Sequence, residues 1–347
     1  MTQPDAMTAA MQRALDVAAT PGFALRGNPR VGCVLLDPHG AVIAEGFHRG
    51  AGTTHAEVDA LAKAGERARG ATAVVTLEPC NHTGRTGACA QALIAAGVTK
   101  VVYAQRDPNP QAAGGATTLA AASVTVEAGL LADQAEALNH EWTIAVSRGR
   151  PYVLWKYAAT LDGRSAAADG SSRWVTGSAA RRDVHGLRAA HDAIVVGTGT
   201  VRADNPSLTA RDLDDKPLPP DQQPTRVVVG HRHLRDGLAV ADDAAPTVFV
   251  DSHDPTDVLA DLWGLGLVRV FLEGGPTVAA AWLRAGVIDE IVAYVAPAML
   301  GAGAPAVGDL GIHTIAEALR FRTESVQRLG NDVKIVLATG SALGEGR

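Results

Sequence analysis

His55-Ala56-Glu57, then Glu78-Pro79-Cys80-Asn81-His82-Thr83-Gly84-Arg85-Thr86-Gly87-Ala88-Cys89, with an apolar run at 71–77 between them, decide how the first half of the chain folds. The histidine stands at the head of a helical pattern. Cys80 follows the apolar strand, and Cys89 opens the Ala-rich helix 89–96. This alternation predicts an α/β sandwich with one imidazole and two thiols gathered where helices start beside strand ends. Such a set suits Zn²⁺: two thiolates cancel its charge, a neutral imidazole adds a third bond, and a fourth position stays open, as catalytic sites require. Residues i and i+2 of a regular helix face apart, so His55 is expected in the first turn rather than the body of its helix. Cys89 at a helix start gains from the helix dipole, which favours a thiolate.

Working outward, Met7, Ala10, Met11, Ala14, Leu15 and Ala18 recur at helical spacing and predict an amphipathic helix over 5–19, its methionines in the core. The runs 31–36 and 41–47, joined by Asp37-Pro38-His39-Gly40, read as a hairpin. Cys33 within the first run reads as a buried free thiol, and no disulfide is expected. A strand at 100–105 and a helical segment at 130–146 follow. Ser147-Arg148-Gly149-Arg150-Pro151 marks the boundary, which places one domain at 1–147 and a second at 151–340.

The second half repeats the alternation, with strands at 152–159, 193–196, 226–229, 247–250, 268–272, 288–296 and 333–338 and a helix at 178–190. A mostly parallel sheet follows from this order. Two strand-to-helix turns could bring backbone N–H groups to a phosphate: Gly197-Thr198-Gly199-Thr200 and Glu273-Gly274-Gly275-Pro276-Thr277, the latter with Pro276 in the first helical turn. The G-x-G-x-x-G fingerprint is missing, so a standard dinucleotide fold is not indicated.

The net charge of −6, without a dense Lys/Arg run, argues against a surface that neutralises many phosphates, and an aromatic content of 4% leaves little for base stacking. No nucleic-acid partner is therefore expected. The sequence has no run long enough to span a membrane and no signal-like N-terminus, so a cytoplasmic protein acting on a small molecule is expected. Three residues stay open on the residues alone. Asn28, before Pro29, could read a pyrimidine edge or simply shape a turn; His82 and Arg85, between the cysteines, could hold a phosphate or belong to a solvated loop.

The His-Ala-Glu and Pro-Cys elements resemble the cytidine deaminase superfamily. One departure is visible, since eight residues separate Cys80 from Cys89 where the usual pair is separated by two. The second half, with Lys156, Leu161-Asp162-Gly163-Arg164, Trp174-Val175-Thr176-Gly177, Gly197-Thr198-Gly199-Thr200, Ala203-Asp204-Asn205-Pro206 and Leu272-Glu273-Gly274-Gly275-Pro276, is similar to the dihydrofolate-reductase-like reductases of riboflavin synthesis. Together the halves resemble the bifunctional deaminase and reductase family of that biosynthesis.

The resemblance implies a cytidine-deaminase-like α/β/α sandwich followed by a dihydrofolate-reductase-like domain. It implies zinc on His55, Cys80 and Cys89, with Glu57 carrying protons, and a phosphoribosyl pyrimidine contacted by Asn28, His82 and Arg85. In the second domain it implies substrate at Ser172, Arg188, Arg211 and Glu273. NADPH is implied at Ala158, Trp174, Thr200, Asp204, Leu208, Gly275, Pro276 and Thr277. No side chain there stands out as an acid or base, because hydride transfer belongs to the cofactor. A homo-oligomer is expected. Gly87-Ala88 replaces a common Pro-Pro, and Thr209-Ala210-Arg211 varies a Thr-Val-Arg pattern. The alternatives are a nucleoside or tRNA deaminase with an unrelated second domain and a structural zinc module, which would not need Glu57.

Overall fold

In the computed structural model, which describes residues 6–20, 25–82, 87–231 and 234–340, the chain divides into two units, Met1–Arg148 and Gly149–Arg347. The first begins with α1 (Ala6–Ala18), whose stripe of Ala10, Met11, Ala14 and Leu15 buries against Val34, Leu36, Val74 and Val102. These come from β1 (Gly32–Leu36), β3 (Thr72–Leu77) and β4 (Lys100–Gln105). β1 pairs antiparallel with β2 (Val42–Phe47) across a turn in which the Asp37 carboxylate accepts the N–H groups of His39 and Ala41. Cys33 is buried and free.

The five-stranded sheet runs β2-β1-β3-β4-β5, with β5 at Thr125–Ala128. β1 is antiparallel to both neighbours, while β3, β4 and β5 are parallel. On the face opposite α1 lies α2 (Ala56–Ala64), so close that a Cβ on Gly46 would stand 2.3 Å from the Ala56 carbonyl oxygen. Glycine at this β2 position therefore sets how near the residues around His55 approach the sheet. α3 (Cys89–Ala95) and α4 (Gly115–Ala121) complete that side.

The predicted helix 130–146 is two helices, α5 (Ala132–Leu138) and α6 (His140–Arg148). The break at Asn139 has a physical cause: its buried amide accepts the Arg30 N–H at 2.8 Å and donates to the Arg30 carbonyl at 2.9 Å, tying the segment before β1 to the helix junction. α4 and β5 carry little apolar periodicity, which hid them from the sequence reading.

The second unit holds an eight-stranded sheet in the order β12-β13-β11-β6-β10-β7-β8-β9. Its strands are β6 (Tyr152–Thr160), β7 (Ala193–Gly197), β8 (Thr225–Val229), β9 (Thr247–Val250), β10 (Arg269–Leu272), β11 (Glu290–Ala296), β12 (Arg322–Leu329) and β13 (Asp332–Ala338). β6 through β11 run parallel, β13 lies antiparallel beside β11, and β12 pairs antiparallel with β13 at the edge. The sheet is mostly parallel as expected, but its last strand reverses. β12 escaped the sequence reading because an edge strand exposed on both faces shows no apolar alternation.

Alternation along β6 sorts its side chains. Val153 and Trp155 enter the core with Val258 and Leu262 of α9 (Pro255–Gly264) and with Trp282 of α10 (Pro276–Arg284). Lys156 takes the other face, on the side of α7 (Ser178–Ala190). α8 (Thr198–Asp204) follows β7 directly.

Candidate active sites

His55 occupies the N-cap position of α2 with extended backbone, φ −68° and ψ 159°, and so escapes the helical geometry that would turn it away from Glu57. Cys80 lies three residues past β3, and Cys89 is the first residue of α3. His55 Nδ1 is 3.2 Å from Cys89 Sγ and 3.6 Å from Cys80 Sγ. All three donor atoms lie within 4.8 Å of one another. Bonds of ~2.0–2.3 Å at tetrahedral angles put neighbouring donors roughly 3.3–3.8 Å apart, so the residues present fit zinc.

The acid-base state of the thiols supports the same ion. Cys80 is pushed well below the usual thiol range, chiefly by the hydrogen bond with the Cys89 thiol and further by His55. Cys89 is pushed up by that bond, by burial and by Glu57. The two sulfurs contend for a proton that a dication displaces.

Glu57 is buried, and burial above all raises its carboxyl to about 7, a value suited to taking and returning a proton near neutrality. The loop bearing Cys80 is clamped from behind. Glu78 accepts N–H groups from Gly114 and Ala116 on one oxygen, at 3.2 and 3.1 Å, and from Asp107 on the other. Gly115 lies so near Pro79 that a Cβ would meet its carbonyl oxygen at 1.7 Å. These restraints position Cys80 without the short Cys-x-x-Cys spacing.

Two polar groups beside the centre, buried His48 and half-buried Asp107, were not singled out from sequence. His48 follows β2, its Nδ1 facing the Thr54 carbonyl oxygen at 3.1 Å and its ring edge-to-face with His55 at 5.2 Å. Its Nε2 is buried with no hydrogen-bond partner among the described residues, and burial lowers its pKa. Asp107 is raised to about 6, first by burial and also by the Glu78 and Cys80 charges. The signal available for His48 was its place seven residues before His55. Of the expected substrate contacts, Asn28 donates its amide to the Leu25 and Arg26 carbonyls, and His82 is exposed two residues past Cys80. Arg85 lies outside the described residues.

The second unit gathers a different cluster. Arg188 on α7 donates through Nε and Nη2 to both Glu273 oxygens, at 2.5 and 2.9 Å, and through Nη1 to the Thr209 carbonyl at 3.1 Å. Lys156 Nζ stands 4.0 Å from Glu273 Oε2, and both side chains are largely buried. Burial lowers the lysine pKa. Burial would raise that of Glu273, but the two cations hold it below its ordinary value. Lys156 is thus a positioned ammonium, a residue that carried the resemblance but to which the sequence assigned no role.

Several expected cofactor positions meet where β7 and β10, parallel neighbours, end. A Cβ on Gly275 would stand 3.3 Å from Thr200 Oγ1, and one on Gly197 2.7 Å from Val278 Cγ2, so the two turns are closely apposed. Pro276 and exposed Thr277 begin α10. Ser172 Oγ is 3.5 Å from Asp204 Oδ1, and Arg173 donates to the Asp204 carbonyl at 2.6 Å. Trp174 is 68% exposed with the Arg181 guanidinium 4.5 Å over its ring. Ala158 lies opposite Tyr294 of β11, and Leu208 is buried with φ 51°. Arg211 is engaged with Asp215.

The profile of the RibD C-terminal domain matches residues 151–335, and that of the cytidine and deoxycytidylate deaminase zinc-binding region matches residues 5–105. The riboflavin biosynthesis protein RibD of Mycobacterium tuberculosis is 48% identical over 94% of this chain and 97% of its own length. That of Escherichia coli is 40% identical over 93% and 96%. The chain belongs to the RibD family. It is a bifunctional deaminase and reductase of riboflavin biosynthesis with a His/Cys/Cys zinc site. Solved RibD structures agree over both units: that from Acinetobacter baumannii superposes with a TM-score of 0.88 at 38% identity, covering 96% of this chain and 98% of the other. A deaminase/reductase from Thermotoga maritima gives 0.84 at 29% identity, covering 96% and 99%. Among the described residues no helix is long and apolar enough to cross a membrane.

Proposed function

We propose that the first unit hydrolytically deaminates 2,5-diamino-6-(5-phosphoribosylamino)pyrimidin-4(3H)-one and that the second uses NADPH to reduce the ribosyl group of the product to a ribityl chain, in the cytoplasm. The observation that carries the first step is the buried Glu57 beside three donors spaced for zinc. His55, Cys80 and Cys89 hold the ion, which when bound supplies the Lewis acidity that makes water a nucleophile near neutral pH. Glu57 takes a proton from the attacking water and returns it to the departing amine. Burial raises the pKa of its carboxyl and so favours its taking up the proton. We assign to His48 Nε2, buried without a partner among the described residues and with its ring fixed through Nδ1, a bond to the pyrimidine, and to Asn28, His82 and Arg85 the remaining substrate contacts.

In the second unit, NADPH supplies the hydride. Reduction of a ribosylamino group adds hydride at the anomeric carbon and a proton at the ring oxygen, whose bond to that carbon breaks. Lys156 is the group we assign to give that proton. Its ammonium is held beside Glu273, and burial lowers its pKa toward that of a useful acid. Glu273, fixed by Arg188, orients Lys156. The apposed turns containing Thr200 and Gly275 to Thr277 fit a dinucleotide outside the carboxyl ends of parallel strands. Trp174, Ala158, Asp204 and Leu208 complete the cofactor contacts, with Ser172 and Arg211 on the substrate. A coupled assay tests the whole reading: ammonia release without NADPH, followed by NADPH oxidation only after deamination. Release of ammonia from cytidine or adenosine in preference to the phosphoribosyl pyrimidine would overturn it.

A further inference from the structure

Residues 211–217 form a tight turn closed by a backbone bridge between Arg211 and Pro217. Asp212 donates its N–H to the Lys216 carbonyl at 2.9 Å, and its carboxylate accepts the N–H groups of Asp214 and Lys216, each at 2.9 Å. This scaffold holds Asp215 at φ 63°, the left-handed region that few side-chain-bearing residues adopt. The consequence is that Asp215 folds back over Arg211. Arg211 Nη1 donates to the Asp215 carbonyl at 3.0 Å and stands 3.6 Å from its Oδ1.

An imidazole reaches the same oxygen. His185 Nε2, on α7, is 3.9 Å from Asp215 Oδ1. His185 Nδ1 is buried and has no hydrogen-bond partner among the described residues. Three residues along α7, Arg188 is already occupied by Glu273 and Thr209. The anion facing Arg211 and His185 is therefore Asp215, which is 72% exposed and carried on a short surface turn rather than on the core.

We propose that Asp215 is an internal stand-in for the substrate phosphate: its carboxylate sits at the anion position between Arg211 and His185, and the incoming phosphate ester displaces it. The inference rests on the reading of Arg211 as a substrate contact and adds His185 as a second phosphate ligand. A phosphate brings up to two charges and three acceptor oxygens against one charge and two oxygens, so it wins the exchange. A substrate lacking the phosphate leaves Asp215 in place. The turn thereby weakens binding of the phosphorylated form and leaves that of the unphosphorylated form unchanged.

The test measures reductase KM for the deaminated phosphoribosyl compound and for its dephosphorylated counterpart in the full-length, zinc-loaded protein. Ribose 5-phosphate serves as a competitive inhibitor of the same step. Asp215→Asn keeps a residue tolerant of the left-handed region and removes the charge, and Asp215→Gly checks that the turn itself is not at issue. Both should lower the ratio of phosphorylated to unphosphorylated KM, and the ribose 5-phosphate Ki, by about 2- to 5-fold, the scale of an exposed ion pair. His185→Phe should raise that ratio. If Arg211→Ala raises the ratio while the Asp215 variants leave it unchanged or raise it, the stand-in is wrong and the phosphate reading survives. If Arg211→Ala leaves the ratio unchanged, both are wrong.

Discussion

Replacing Lys156 with Met keeps the length of the side chain and removes the ammonium assigned to protonate the ribose ring oxygen. At 4.0 Å from Glu273, the Lys156 charge gains about 4 kcal/mol of Coulomb attraction at an effective dielectric near 20, offset by a desolvation penalty of several kcal/mol. Glu273 keeps its two-bond partner Arg188, so folding stability should change little. The chemistry should not be spared: loss of a positioned general acid costs about 10²- to 10⁴-fold, or roughly 3–5.5 kcal/mol of barrier. Glu273→Gln is the contrasting variant. It leaves two buried cations without their carboxylate and should destabilise the second unit by about 3–5 kcal/mol. The assay combines reductase kcat at saturating NADPH, NADPH affinity by fluorescence, and ammonia release from the same preparation as an internal control. The pH profile adds a sign. The acid form is the active one, so kcat should fall as pH rises through a lysine pKa depressed by burial, and Lys156→Met should lack that limb. A Lys156→Met enzyme within threefold of the parent kcat, with an unaltered alkaline limb, would refute the assignment.

Four further outcomes are expected. Glu57→Gln should keep zinc and slow deamination by at least about 10²-fold, and near-normal ammonia release would point to another proton carrier. Cys80→Ser combined with Cys89→Ser should abolish stoichiometric zinc by elemental analysis; a full complement of metal in that protein contradicts the centre described here. His48→Phe keeps the ring against His55 but removes Nε2, so deaminase KM should rise by about 2- to 12-fold, the worth of one hydrogen bond, with zinc content retained. Gly46→Ala forces a Cβ to within 2.3 Å of the Ala56 carbonyl and should cost about 1–3 kcal/mol while loosening zinc, measured by denaturant midpoint and chelator competition.

Legibility of the fold followed burial. α1, the β1–β2 hairpin and the central strands β3, β4, β6, β7 and β10 were readable because each shows the period of its own structure against a buried neighbour. The elements missed or merged lie where that signal fails. β12 is exposed on both faces, β5 is largely exposed, and α5 and α6 form one apolar pattern broken by a polar residue. Asn139 breaks the helix by bonding to Arg30, 109 positions earlier, and no local rule anticipates so distant a partner.

The two sites differ in legibility for the same reason. A zinc centre demands rare residue types, so His55, Cys80 and Cys89 announce their chemistry even before the clamp at Glu78 shows why eight intervening residues do no harm. The reductase cluster uses common residues. Lys156, Arg188 and Glu273 come from β6, α7 and the end of β10, and each alone could be a solvated charge. What identifies them is convergence: a bidentate pair at 2.5 and 2.9 Å and an ammonium beside it, all largely buried. Retaining three charges away from water costs several kcal/mol per ion, and well-packed apolar residues could fill that space at least as stably. We therefore propose that they are retained for a substrate and a proton, an account that stands or falls with Lys156.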